Sequence, residues 1–195
     1  MIKVGLTGNI GSGKTVIAEI FHRIGIPVFN ADIQAKNLYK QAEVKAQLTA
    51  LLGPDIFDGS GNVDRKRMAQ LLFHDKGLLQ QVNQWIHPMV RDSFHRFGEV
   101  NKDKPYVVYE AAIVVESGYY KELDKLIVVS APEKMRIERV MSRDGIPRQE
   151  VLNRARHQLT DNEKNKVADW IINNDGAHLI IPQILEVDRQ LRMIS

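Results

Sequence analysis

The run Gly8-Asn9-Ile10-Gly11-Ser12-Gly13-Lys14-Thr15 lies between an apolar, strand-like segment, residues 2–7, and a segment with Ile17, Ala18, Ile20 and Phe21 at helical spacing. Its pattern, G-x-x-x-x-G-K-[S/T], leaves the chain little choice. Small residues let the backbone curl so that successive N–H groups converge on phosphate oxygens, and the helix that follows adds its positive dipole end. A strand, a phosphate loop and a helix in that order point to an α/β fold with ligands at the carboxyl ends of its strands. In this reading Gly8, Asn9, Ile10, Gly11, Ser12, Gly13, Lys14, Thr15 and Val16 line a nucleotide's phosphates, Lys14 reaches the β- and γ-phosphates, and the Thr15 hydroxyl ligates Mg²⁺. A Gly/Ser turn that only joins a strand to a helix is the plainer alternative, and the apolar context on both sides speaks against it.

Further short apolar, β-branched segments recur at residues 26–29, 106–109, 126–130 and 170–172, with helical patterns between them. They read as buried parallel strands of a three-layer α/β core. The interval from residue 29 to residue 106 is too long for a simple crossover and carries Gly53-Pro54 and Asp58-Gly59-Ser60-Gly61-Asn62 as loop punctuation. We therefore expect residues 35–101 to form a helical insertion that holds a second substrate, and residues 133–166 to form a helical lid. Residues 1–34, 102–132 and 167–195 make up the nucleotide-binding core. Ile181, Ile184, Leu185, Val187, Leu191 and Ile194 mark a last amphipathic helix packed on the sheet, with Pro182 in its first turn.

Charge bears on partners. With 27 Lys and Arg against 24 Asp and Glu, the net charge of +3 is too small to demand a nucleic acid, and aromatics at 7% are too scattered for a base-stacking track. The excess is local: residues 134–156 hold seven basic and three acidic side chains. Such a run is either a solvated helix face or a set of arginines that clamp a polyphosphate. Arg139 and Arg143, four apart and so on one helix face, are the first candidates for the clamp. No cysteine is present, no apolar run is long enough to span a bilayer, and Met1 runs straight into the first strand without room for a leader. A cytoplasmic, monomeric enzyme with no membrane partner is the expectation.

Transfer of a phosphoryl group needs an acid–base group beside the acceptor hydroxyl. Asp32, directly after the second strand, is either that base or the N-cap of a helix starting at Ile33. Glu110, at the end of the third strand, either holds Mg²⁺ through water or is an exposed strand-end carboxylate. His87, before Pro88, is a capping or packing histidine or a substrate contact, while Asn174 and Gly176 are turn residues or a border for a base.

Taken together, Gly5-Leu6-Thr7 with the phosphate loop, Asn30-Ala31-Asp32, Ile86-His87-Pro88, Tyr106-Val107-Val108-Tyr109-Glu110, Asp144-Gly145, Arg154 with Gln158, and Ala168-Asp169 leading to Asn173-Asn174-Asp175-Gly176 resemble the dephospho-CoA kinases over nearly the whole chain. The resemblance implies a nucleoside-monophosphate-kinase-like P-loop core, a helical coenzyme A domain and a lid. It implies ATP and Mg²⁺ as cofactors, dephospho-CoA as the acceptor, and phosphorylation of its ribose 3′-hydroxyl, the last step of coenzyme A synthesis. It also makes Asp32 the expected catalytic base. Two departures from the family pattern stand out: Asn30 replaces the first Asp of a D-A-D motif, and Glu110 is one methylene longer than the usual Asp, with Ala112 in place of a proline nearby. Another P-loop small-molecule kinase shares the core and would differ in the insertion. A regulatory GTPase would carry an N-K-x-D segment after a late strand, and Ser130-Ala131-Pro132-Glu133 offers none.

Overall fold

In a computed structural model, which describes the backbone of residues 1–195 and all side chains but those of residues 65, 66, 73, 74 and 76, strands and helices alternate. The order is β1 (Ile2–Thr7), α1 (Lys14–Arg23), β2 (Val28–Asn30), α2 (Ala31–Leu38), α3 (Ala42–Leu52), α4 (Arg65–His74), α5 (Lys76–Val100), β3 (Tyr106–Glu110), β4 (Lys125–Ser130), α6 (Glu133–Asp144), α7 (Arg148–Ala155), α8 (Asp161–Asn165), β5 (Trp170–Asn173) and α9 (Ile180–Ile194). The chain divides into two compact units: residues Met1–Asn30 with Phe97–Ser195, and residues Ala31–Arg96.

The first unit is built on a five-stranded parallel sheet in the order β2-β3-β1-β4-β5. Each apolar run marked in the sequence supplies one strand. The second starts two residues late, at Val28: Pro27 has no N–H to give the ladder, and only its carbonyl joins, accepting from the Val108 N–H at 2.9 Å. β1 is central, paired on both sides, so its carboxyl end delivers the phosphate loop to the middle of the sheet edge. Alternation along β3 sends Tyr106, Val108 and Glu110 to one face and Val107 and Tyr109 to the other.

On the first of these faces α1 buries Ile17, Ala18 and Phe21, and α9 buries Ile184, Val187 and Leu191, in one apolar cluster with Val4, Leu6, Tyr106 and Ile127. Tyr106 meets Phe21 edge-on at 6.3 Å and donates its hydroxyl to Asp188 at 2.7 Å; burial and that carboxylate both push the phenol well above its usual range. On the second face Phe29 stacks on Tyr109 at 5.7 Å, and Tyr109 meets Tyr119 at 4.9 Å. A smaller cluster of Ile137, Val140 and Val151 joins α6 to α7 and takes in Ile10 from the phosphate loop.

The second unit is helical. Gly53, with φ 84°, ends α3, and its N–H still closes the last turn on Thr49 at 2.9 Å. Asp58 accepts from the Ser60 and Asn62 N–H groups, both at 2.9 Å, in a turn closed by a Phe57–Val63 antiparallel bridge. α5 runs for 25 residues straight through Pro88, where a proline ordinarily ends a helix. His87 on α5 is half-buried; burial, then the charge of Arg91 one turn on, holds its imidazole below the usual range.

Candidate active site

The loop takes its shape from glycine and from distant neighbours. Gly11 and Gly13 adopt left-handed φ angles of 79° and 96°. A Cβ on Gly11 would run into the backbone carbonyl of Arg136, and one on Gly13 into the side-chain amide of Asn174. Ser12 N–H donates to the Asn9 carbonyl at 3.0 Å, and α1 then begins with no side-chain cap and no acidic residue in its first turn. Its leading N–H groups and dipole therefore suit an anion from outside the chain. Lys14, the first residue of α1, donates Nζ to the Gly8 carbonyl at 2.7 Å, so its charge stays over the loop.

Several polar contacts pin this loop from segments far along the chain, through Gln158 and Asp161, neither of which was assigned a site role from sequence. The Ile10 N–H donates to Gln158 Oε1 at 2.8 Å, which commits that loop N–H to the protein rather than to phosphate. Asn9 Nδ2 donates to Asp161 at 2.7 Å, and Arg136, buried, donates to the other Asp161 oxygen at 3.1 Å and to the Ala131 carbonyl at 3.0 Å. Lys164 is fully buried and donates to the Ala112 carbonyl at 3.1 Å and to Glu116 at 2.8 Å. The one local signal was available: Thr160-Asp161-Asn162-Glu163 reads as a capping box and forms one, which fixes Asp161 in the first turn of α8.

The register of the sheet brings Asn30, Glu110 and Thr15 together. Leu6 on β1 and Asn30 on β2 both pair with Glu110 on β3, so Asn30 and Glu110 are lateral neighbours on the face that carries α1. Asn30 Nδ2 donates to Glu110 Oε2 at 2.6 Å, and the Thr15 hydroxyl stands 3.5 Å from Glu110 Oε1. Glu110 is buried at 6% exposure, so it is no solvent-facing strand end.

The two lid candidates part company. Arg139, half-buried, donates to the Asn174 carbonyl at 3.1 Å and lies 3.5 Å from the Gly11 carbonyl. Arg143 is exposed and forks onto Asp144 at 2.7 and 3.1 Å; that bond, with Arg154 at 3.1 Å beside it, holds the Asp144 carboxyl below its usual range. Arg139→Ala is expected to lower kcat/KM by about tenfold to a hundredfold. Arg143→Ala is expected to do less, since Arg143 must leave Asp144 before it can meet a phosphate. Steady-state kinetics on both variants, with melting temperatures alongside, check the order; equal activity of the Arg139 variant and the wild type returns this stretch to a solvated face.

Asn174 gives Nδ2 to the Ser12 carbonyl at 2.8 Å. The next residues are braced by Asp175, whose carboxylate accepts from the His178 and Ala177 N–H groups, each at 3.0 Å, and from the His178 ring at 2.8 Å. Those bonds, the His178 ones first, hold the Asp175 carboxyl at about 2, and Gly176 turns the chain there with φ 83°. Asp32 belongs to the second unit, exposed in the first turn of α2. Because that helix starts at Ala31 and not at Ile33, Asp32 sits inside it and is not its N-cap. His87 lies on α5.

A parallel sheet whose central strand runs through such a loop into α1, with Lys14 and Thr15 at the helix start, is the core of a P-loop kinase. The dephospho-CoA kinase family model matches residues 2–179. The dephospho-CoA kinase of Porphyromonas gingivalis is 38% identical over 195 residues, covering 98% of this chain and 95% of that protein. That of Bacteroides fragilis is 36% identical over 187 residues, covering 95% and 91%. A crystal structure of a Thermus thermophilus protein matches with TM-score 0.87 at 33% identity over 97% of this chain and 96% of the other. The chain belongs to the dephospho-CoA kinase family, transferases that use ATP in the final step of coenzyme A biosynthesis. The nucleotide-kinase and GTPase alternatives are not favoured. Among the described residues, no helix is long and apolar enough to cross a membrane.

Proposed function

We propose that the chain transfers the γ-phosphoryl group of ATP in line to the ribose 3′-hydroxyl of dephospho-CoA, with Asp32 orienting and deprotonating that hydroxyl. The observation that carries the reading is the loop: two left-handed glycines, an uncapped α1 and Lys14 folded over the turn make a preformed cradle for a polyphosphate. Within residues 11–16 the backbone N–H groups of Gly11, Gly13, Lys14 and Thr15 hold the phosphates, those of Ser12 and Val16 being given to the Asn9 and Gly13 carbonyls, and Lys14 with Arg139 and Arg143 neutralises charge that builds on the transferring group. Asn174 and Gly176 border the adenine. The helical insertion, residues 35–101, holds the acceptor, with His87 as a contact.

The donor set suits Mg²⁺. Thr15 and Glu110 bring one hydroxyl and one carboxylate together, and no group of three or more His, Cys, Asp or Glu that could cage a metal occurs among the described residues. Mg²⁺ is held in this way, by one or two protein oxygens with phosphate oxygens and water completing its shell. Thr15 and Glu110 would hold it, and when bound it supplies charge neutralisation at the β- and γ-phosphates.

The acceptor's remote parts should help to place its 3′-hydroxyl, so truncating it is expected to lower kcat as well as weaken binding. The test is kcat/KM at saturating Mg·ATP with dephospho-CoA, adenosine monophosphate and adenosine as acceptors, in wild type and His87→Ala. We expect dephospho-CoA to lead by at least about a hundredfold and His87→Ala to harm it more than the truncated acceptors. A preference of the wild type for adenosine monophosphate would sink the proposal.

A further inference from the structure

Asp161 stands at the first position of α8, yet it does not cap that helix: Thr160 and Glu163 do so, each side chain closing on the other's backbone. Its carboxylate is turned to two other partners. Oδ1 accepts from Asn9 Nδ2 at 2.7 Å and Oδ2 from Arg136 Nη2 at 3.1 Å, so one oxygen serves the phosphate loop and the other the start of α6. Both partners are buried, Asn9 at 4% exposure and Arg136 at 8%. The base of this clamp is fixed as well. Lys164, one turn along α8 and fully buried, gives Nζ to the Ala112 carbonyl at 3.1 Å and to Glu116 Oε1 at 2.8 Å, and that same oxygen accepts from the Leu159 N–H at 3.0 Å. α8 is thereby tied to the segment after β3 from both sides of Asp161.

Replacing a buried ion pair by apolar side chains of similar volume often costs no stability, so fixed geometry is the better reason for this one. The Arg136 carbonyl lies where a Cβ on Gly11 would stand, and Arg139, one turn further along α6, reaches the Gly11 and Asn174 carbonyls. A shift of α6 against residue 9 therefore moves the loop and Arg139 relative to each other. We propose that Asp161 is a positioning residue for ATP: by holding Asn9 and Arg136 on its two oxygens it sets the separation of the phosphate loop and α6, and so the places at which the loop N–H groups and Arg139 meet the phosphates. This rests on the reading of the loop as the ATP site. An ionised carboxylate has no donor to offer a phosphate, so Asp161 acts through its two partners. A carboxylate accepts at both oxygens, whereas an amide accepts on one side and donates on the other. Asp161→Asn can therefore keep one partner and must set a donor against the second.

The experiment is calorimetric titration of Mg·ATP into the full chain, with the KM for dephospho-CoA measured alongside, at a temperature well below the melting point of each variant. Asp161→Asn is expected to weaken ATP binding by about tenfold and to leave the KM for dephospho-CoA within about twofold of wild type. Asn9→Ala removes the loop's arm of the clamp at a position with no left-handed φ, so alanine fits there, and is expected to weaken ATP by a similar factor. Asp161→Asn made on top of Asn9→Ala is expected to cost no more than about twofold further, because both act through one bond. A merely structural bond would lower the melting temperature and leave ATP affinity alone, and that result overturns the proposal. So do factors that multiply in the double variant, or an equal loss for ATP and dephospho-CoA. If Asp161→Asn does not fold, unchanged ATP affinity in Asn9→Ala is enough to overturn it. Failure of the wild type to bind ATP overturns the reading of the loop as well, so the two failures are told apart.

Discussion

Asp32→Asn is expected to lower kcat by about two to four orders of magnitude, the span that loss of a general base costs, with ATP affinity nearly unchanged. Asparagine keeps the shape of the side chain and its hydrogen-bonding reach but cannot take a proton. Asp32 is exposed in the first turn of α2, where a carboxylate gains about 0.3–1 kcal/mol from the helix dipole, so the variant should unfold close to the wild-type temperature. Steady-state kinetics, ATP titration and a thermal melt on the same preparation separate the outcomes. Turnover within a few-fold of wild type together with a lowered melting temperature would reduce Asp32 to a favourable helix residue and remove the base from the mechanism.

Lys14→Ala should abolish most of the turnover without unfolding the protein. A cation at the first position of a helix opposes the dipole, at a cost of about 0.3–1 kcal/mol, and its bond to the Gly8 carbonyl returns about the same amount. A phosphate gives a reason for a lysine at this place. Loss of one preorganised donor aimed at developing charge costs about a hundredfold to a thousandfold in kcat. Circular dichroism melts and coupled assays of ATP consumption check both halves; wild-type turnover in a folded Lys14→Ala protein would falsify the phosphate-loop assignment.

Features set by near neighbours in the chain were legible in the sequence. The five strands, the last amphipathic helix and the phosphate loop all follow from residues within a few positions of one another, and the start of β2 was misjudged only because Pro27 lacks the N–H that its apolar side chain conceals. The passage of α5 through Pro88 is harder to see, since a local rule argues for a break. The polar partners of the loop were out of reach for a different reason. Gln158, Asp161 and Asn174 meet residues more than a hundred positions away, and their side chains have equally good local uses in turns and caps. Arg136 and Arg139 are three apart in one basic run, yet the first is buried against Asp161 while the second lies beside the loop carbonyls. Charge patterning cannot sort them; the packing of α6 does.

The bracing of the phosphate loop also bears on the order in which the chain becomes competent during synthesis. Residues 8–15 leave the ribosome before the residues that brace them: Gly11 is shaped against Arg136, Ile10 is held by Gln158, Asn9 by Asp161 and the Ser12 carbonyl by Asn174. β1 itself lies between β3 and β4, so even the strand that bears the loop has no neighbours until residues 106–130 have emerged. The most recognisable motif in the chain is therefore translated well before its braces, and a nascent chain stalled before Asn174 would carry the entire motif with a loop not yet braced from both sides.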